Sequence, residues 1–265
     1  MPEPTPDLRP LTARSIVAST LLGMRPPRLP GRILVASGEL FGVAEGATRT
    51  ALSRMLAAGE LTTDSEGNYE LAGHLLDRQH RQDESRSTPA GRWGGKWEMA
   101  VVRADRRSAR DRADLRRAMA ALRLAEYREG VWIRPANLDP RRQPAARTVL
   151  EAQCAAFVAQ PETDDPAELA QRLWDLAGWQ ATAATIRHRM AEGRPALDAG
   201  DLESLTPAFE LSAIIIRHLV ADPMLPAALL PTNWPGNGLR AEYESYDRSF
   251  TRLWRRWYHA QDQPA

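Results

Sequence analysis

The stretch over residues 42–71, GVAEGATRTALSRMLAAGELTTDSEGNYEL, constrains this chain most. On a helix starting near Glu45, the residues Ala47, Ala51, Leu52, Met55 and Leu56 share one side. Gly46, Arg49, Thr50 and Ser53 follow the i, i+3, i+4, i+7 spacing of the opposite, polar side. Gly59 stands where glycine ends helices, because it enters the left-handed region without a Cβ clash. Leu61 and Thr63 then alternate into the turn DSEGN, and Tyr69 and Leu71 carry the return strand. Upstream, Thr12 caps a helix to residue 22, MRPPRLP forms a connector that no helix crosses, and a second helix covers 31–40. Helix, helix, turn, helix, hairpin is the order of a winged helix-turn-helix, here over residues 10–72. Such a unit lays its last helix in a major groove and flanks the phosphates with its hairpin. The same order also occurs in proteins that never touch DNA.

The texture then changes twice. Residues 73–92 read as a polar linker helix followed by the boundary SRSTPAGRWGG. Residues 93–163 give a strand at KWEMAVV, an arginine-rich amphipathic helix at 111–122, a strand at 131–134, and a helix or strand around 149–158. That order predicts a ferredoxin-like α+β domain. Residues 164–260 read as a mostly helical domain. A proline-led capped helix follows Asp165, and the proline-framed run DPMLPAALLPTNWPG lies at 222–236. The last helix repeats the aromatics Tyr243, Tyr246, Phe250, Trp254 and Trp257. The fold class is therefore α+β, in several domains.

Charge is uneven along the chain. Residues 91–147 hold 15 Lys+Arg against 7 Asp+Glu, while the flanking segments are acidic on balance. A basic middle can face phosphates, on DNA or on a small ligand, or simply water. The single cysteine, Cys154, permits no disulfide within the chain. The start MPEPTPDLRP lacks the basic and apolar regions of a signal peptide. No apolar run approaches the ~20 residues of a membrane span. The expectation is a soluble, cytoplasmic protein that engages no membrane.

Three stretches together resemble the PaaX family of bacterial transcriptional regulators. They are GVAEGATRTALSRMLAAGEL, where Arg49, Arg54 and Gly59 fall on the family pattern; WGGKWEMAVV with EGVWIRPANL; and DPMLPAALLPTNWPG. The resemblance spans residues 10–258. It implies a winged helix, a ferredoxin-like middle domain related in fold to a CRISPR-associated nuclease, and a helical C-terminal domain. It further implies a homodimer that binds double-stranded operator DNA and represses a catabolic operon. The family's prototype is relieved by phenylacetyl-coenzyme A, so an acyl-coenzyme A effector is implied and a resident cofactor is not. One departure stands out: the hairpin carries Asp64, Glu66 and Glu70 where family members often have basic residues.

Arg49 and Arg54, with Thr50 and Ser53 beside them, are the candidate DNA contacts, because a guanidinium can donate two parallel bonds to guanine or phosphate. Trp132, Arg134, His218 and Trp234 are the candidate effector contacts, expected where the middle and C-terminal domains meet. Arginine suits phosphates and aromatic surface suits an aryl group. Trp132 and Trp234 are equally the residue type that fills cores, and His218 can serve a local hydrogen bond. No histidine spacing suggests a metal site, and Cys154 has no sequence partner that marks a nucleophile. The chain therefore reads as a regulator and not an enzyme. The alternative is a metal-dependent nuclease on the middle domain, with Asp105 as ligand.

Overall fold

A computed structural model describes residues 11–88, 92–103, 107–162 and 165–262. Clustering of the backbone gives two compact units. The first takes residues 1–84, 184–220 and 238–265; the second takes 85–183 and 221–237.

In the first unit, α1 (Ala13–Leu22) starts at Thr12, whose hydroxyl accepts from the Ser15 N–H while the Ser15 hydroxyl is hydrogen-bonded at Thr12 in return. Strand β1 (Arg28–Pro30) follows, then α2 (Gly31–Leu40) and α3 (Glu45–Ala57). The hairpin β2 (Leu61–Thr63) and β3 (Asn68–Leu71) completes a three-stranded antiparallel sheet of order β1-β3-β2. This is a winged helix-turn-helix. Strand β1 lies inside MRPPRLP, read above as a connector. Leu29 pairs with Tyr69 and is buried, so prolines that exclude a helix still permit an edge strand. The core gathers Val17, Leu21, Leu29, Ile33, Leu34, Leu52, Met55, Leu61 and Leu71.

The helix α4 (His74–Arg86) is polar in sequence, yet Leu75, Gln79, Gln82 and Ser85 are buried. Its Gln79 amide donates to the carbonyls of Leu22 and Met24, both at 3.2 Å. The C-terminal end of α1 leaves carbonyls without helical partners, and Gln79 supplies donors for them.

The second unit holds β4 (Trp97–Val102), α5 (Ala109–Leu122), β5 (Ala125–Arg128), β6 (Val131–Pro135), α6 (Pro144–Gln153) and β7 (Cys154–Ala159). The sheet order β5-β6-β4-β7 is antiparallel throughout, which is the ferredoxin-like arrangement. Alternation along the strands gives the sheet two cores. Ala100, Leu115, Met119, Leu122, Leu150 and Cys154 pack under α5 and α6. Trp97, Val131 and Ile133 pack on the other face with Leu169 and Leu176, and with Leu225 and Leu229 of the proline-framed run.

The helices α7 (Pro166–Leu173), α8 (Leu176–Ala199), α9 (Leu205–Ala221) and α10 (Gly236–Asp262) complete the chain. Residues 176–183 of α8 count with the second unit and 184–199 with the first. Among the described residues, 202–221 is the one stretch long and apolar enough to cross a membrane by length and composition, contrary to the expectation that no apolar run approaches that length. Leu205, Phe209, Leu211, Ile214, Ile215 and Leu219 on α9 are buried inside the protein, as a core helix requires. The aromatic stripe of α10 is also turned inward. Tyr243, Tyr246, Trp254 and Trp257 are buried, and Phe250 stacks on Trp254 at 6.1 Å. Phe209 continues the ladder to Phe41, at the end of α2, with ring centroids 4.4 Å apart.

Candidate nucleic-acid interface

The orientation of α3 follows from which residues it buries. Thr48, Ala51, Leu52 and Met55 face inward, and Ala47, expected inside, is exposed. The reason is Gly38 on α2. A Cβ there would lie 2.2 Å from the Thr48 hydroxyl oxygen, so the missing side chain is what admits Thr48 to the helix contact. Rotation about that contact turns Glu45, Gly46, Arg49, Thr50, Ser53 and Arg54 to solvent. The helix stops at Gly59, which adopts φ +67°.

On this exposed face Arg49 Nε donates to Glu45 Oε1 at 2.6 Å, one helical turn back. Both side chains are more than half exposed, so this pair exchanges readily for another acceptor. The Thr50 hydroxyl donates to the Gly46 carbonyl at 2.8 Å. The side chains of Ser53 and Arg54 are exposed and have no hydrogen-bond or ionic partner among the described residues. Glu45 was not singled out in the sequence, although its i, i+4 spacing to Arg49 is legible there.

Of the hairpin carboxylates Asp64, Glu66 and Glu70, the last two are exposed and Asp64 is held by bonds within the hairpin. Asp64 accepts from the Glu66 N–H at 2.9 Å, the Asn68 N–H at 3.0 Å and the Asn68 side-chain amide at 2.9 Å. Arg28, across the sheet on β1, pairs with the same carboxylate. The bonds from Asn68, side chain first, hold the Asp64 carboxyl down at about 2. At the other end of the hairpin Glu60 takes a bidentate bond from Arg14, Nε at 3.0 Å and the terminal nitrogen at 2.5 Å. The Arg14 bond lowers the Glu60 pKa. Asp64 and Glu60 thus fasten the wing rather than face outward as free charge.

The four expected effector residues occupy three separate surroundings. Arg134 is 1% exposed. Its Nε donates to the Pro135 carbonyl at 2.9 Å, one terminal nitrogen to the Leu122 carbonyl at 3.1 Å, and the other to Asn137 Oδ1 at 2.8 Å. Burial, with Arg142 and Arg123 adding like charge, brings its pKa down to about 9. Asn137 passes the connection on by donating to the Met224 carbonyl at 3.0 Å, and Arg123 donates to the Asp222 carbonyl. The runs EGVWIRPANL and DPMLPAALLPTNWPG therefore interlock through Arg134 and Asn137. Trp132 is half-buried under the helices on one face of the sheet. Trp234 lies on the opposite face, stacked on Trp179 at 4.5 Å. His218 belongs to α9 in the first unit. Within the second unit, Trp132 and Trp234 therefore lie on opposite faces of the sheet. Asp105 lies outside the described residues.

Cys154 is buried, and burial pushes its thiol pKa up. The chain thus combines a winged helix bearing an exposed arginine-carrying third helix, a ferredoxin-like domain and a set of C-terminal helices.

Family models place the chain more closely. Residues 12–75 match the PaaX-like protein model, residues 90–170 the PaaX protein central Cas2-like domain, and residues 174–260 the PaaX-like protein C-terminal domain. The chain belongs to the PaaX family, whose members are generally transcriptional regulators of phenylacetic acid catabolism rather than enzymes. Among solved structures it is similar to the uncharacterized protein Rv0674 from Mycobacterium tuberculosis, with 38% identity and a TM-score of 0.69. That match covers 95% of this chain and 99% of the other. No curated protein matches it.

Proposed function

We propose that this chain is a cytoplasmic DNA-binding repressor of an aromatic-acid or related catabolic operon, working as a homodimer and relieved by an acyl-coenzyme A such as phenylacetyl-coenzyme A. The observation that carries the reading is the outer face of α3, where Arg49, Thr50, Ser53 and Arg54 stand exposed on a helix fixed by Gly38 and Thr48. In a family of transcriptional regulators such a face is suited to base edges and phosphates. The exposed Arg49–Glu45 pair gives Arg49 a resting partner that duplex phosphate or guanine replaces. A dimer would read two half-sites about one helical turn, or a multiple of it, apart. The aromatic stripe of α10 packs within its own unit, so the proposed dimer does not rest on that stripe.

The experiment is a fluorescence-anisotropy titration of the purified protein on duplexes from the promoter region of its own operon, with and without phenylacetyl-coenzyme A. The reading predicts salt-sensitive, sequence-selective binding that the thioester weakens about 5–150-fold. Equal affinity for specific and scrambled duplexes would refute it.

A further inference from the structure

Four arginines converge where no sequence motif pointed. The last turns of α8 and the outer face of α10 enclose an open groove of about 680 Å³, lined by Arg194, Arg248, Arg252 and Arg255 with Ser245 and Thr251 among its hydroxyls. All of these belong to the first unit. The volume is that of a small-molecule site. The aromatic face of α10 that leads to Phe209 and Phe41 is formed by other residues, Phe250 and Trp254.

The charges are arranged to receive an anion. Asp198 accepts from the Ser249 hydroxyl at 2.6 Å and from Arg194 Nε at 3.2 Å, with an Arg252 nitrogen at 3.5 Å. Its carboxyl is held below the usual range first by the Ser249 bond and then by Arg194. One carboxylate therefore orients two guanidinium groups and saturates neither, since each carries five N–H donors. Arg248 pairs with Glu244 at 2.9 Å along the helix, and Asp247 lines the wall near the Tyr243 hydroxyl at 3.4 Å. Arg255 has no partner among the described residues. Four cations thus face three carboxylates, and Arg252 keeps 68% of its side chain exposed. No aromatic ring lines the groove, so it offers phosphate recognition and no stacking for an aryl group.

We propose that this groove binds the phosphate-bearing end of a coenzyme A thioester, with Arg252 and Arg255 as its principal contacts. The proposal rests on the acyl-coenzyme A reading above and gives it a location on α8 and α10. Its test is isothermal titration without DNA, using free coenzyme A and, as the phosphate-free control, pantetheine. The wild-type chain is compared with the double variant Arg252→Gln, Arg255→Gln, and thermal melts check that both are folded. Coenzyme A should bind the wild type, pantetheine should not, and the double variant should lose at least about tenfold in coenzyme A affinity. Unchanged affinity in the folded variant, or equal binding of pantetheine, would overturn the proposal. So would loss of operator binding in the ligand-free variant, since the groove would then be a DNA contact. Because the titration contains no DNA, failure of the wild type to bind any operator would refute the repressor reading and leave this measurement to stand alone.

Discussion

Arg49 and Arg134 are the same residue type in opposite circumstances. Arg49 sits on a helix face with its side chain 65% exposed and a single carboxylate one turn away. Arg134 is 1% exposed and spends three guanidinium nitrogens on Leu122, Pro135 and Asn137. Both were plausible phosphate ligands from sequence. The difference shows that an arginine's role is set by what its donors already hold. Arg49 can exchange partners at little cost, because exposed pairs contribute about 0–1 kcal/mol. Arg134 cannot, because releasing it strands buried carbonyls.

The comparison yields four further tests, taken from the largest expected effect down. Arg134→Ala should destabilise the protein by about 3 kcal/mol, since buried acceptors at Leu122, Pro135 and Asn137 lose their donor together. Chemical denaturation measures it; a change under about 0.5 kcal/mol would mean that Arg134 is free for a ligand after all. Gly38→Ala tests why Arg49 faces outward. Its Cβ collides with Thr48, so a loss of about 1–3 kcal/mol is expected, with weaker operator binding as α3 shifts. Full stability in that variant would show that the contact does not set the helix.

Glu45→Ala sharpens the account of Arg49. It removes a carboxylate that competes with phosphate, and operator affinity should rise by about three- to tenfold, or roughly 1 kcal/mol. A fall in affinity would assign Glu45 a direct role in the contact. The smallest effect concerns the wing. The Asp64 carboxyl is depressed from 3.8 to about 2, so its contribution is present above pH 3.8 and is lost as pH falls toward 2. The melting-temperature gap between wild type and Asp64→Ala should be constant from neutral pH to about pH 4 and close below it. A gap that persists at pH 2 would contradict the assignment.

Much of the architecture was legible in the sequence because local chemistry agreed with it. Thr12, Gly59 and the DSEGN turn marked the ends of the winged-helix elements, and all three serve as read. The hydrophobic runs at KWEMAVV and 131–134 likewise marked β4 and β6 of the ferredoxin-like sheet, whereas the edge strand β5 was not read. The misses have a common cause, which is pairing over long sequence separation. Strand β1 depends on β3, some forty residues later. The face of α3 depends on Gly38, and a register of i, i+3, i+4, i+7 beginning at Thr48 was available but is headed by a polar residue. Trp132 and Trp234 fall on opposite faces of the sheet and Arg134 is committed to carbonyls, because neither the faces nor those bonds can be read from spacing. The α10 aromatics stood out in the sequence, but what they pack against did not. The arginine groove needs α8 and α10 side by side, and no single stretch contains it.

The central claim is that the exposed face of α3 reads operator DNA through Arg49. Its most direct test is the operator dissociation constant of Arg49→Ala, measured by anisotropy beside the wild type, with thermal melts of both. The account predicts a loss of about 1–3 kcal/mol in binding, with the melt almost unchanged because the side chain is exposed. A folded Arg49→Ala protein that binds the operator as tightly as the wild type would contradict it.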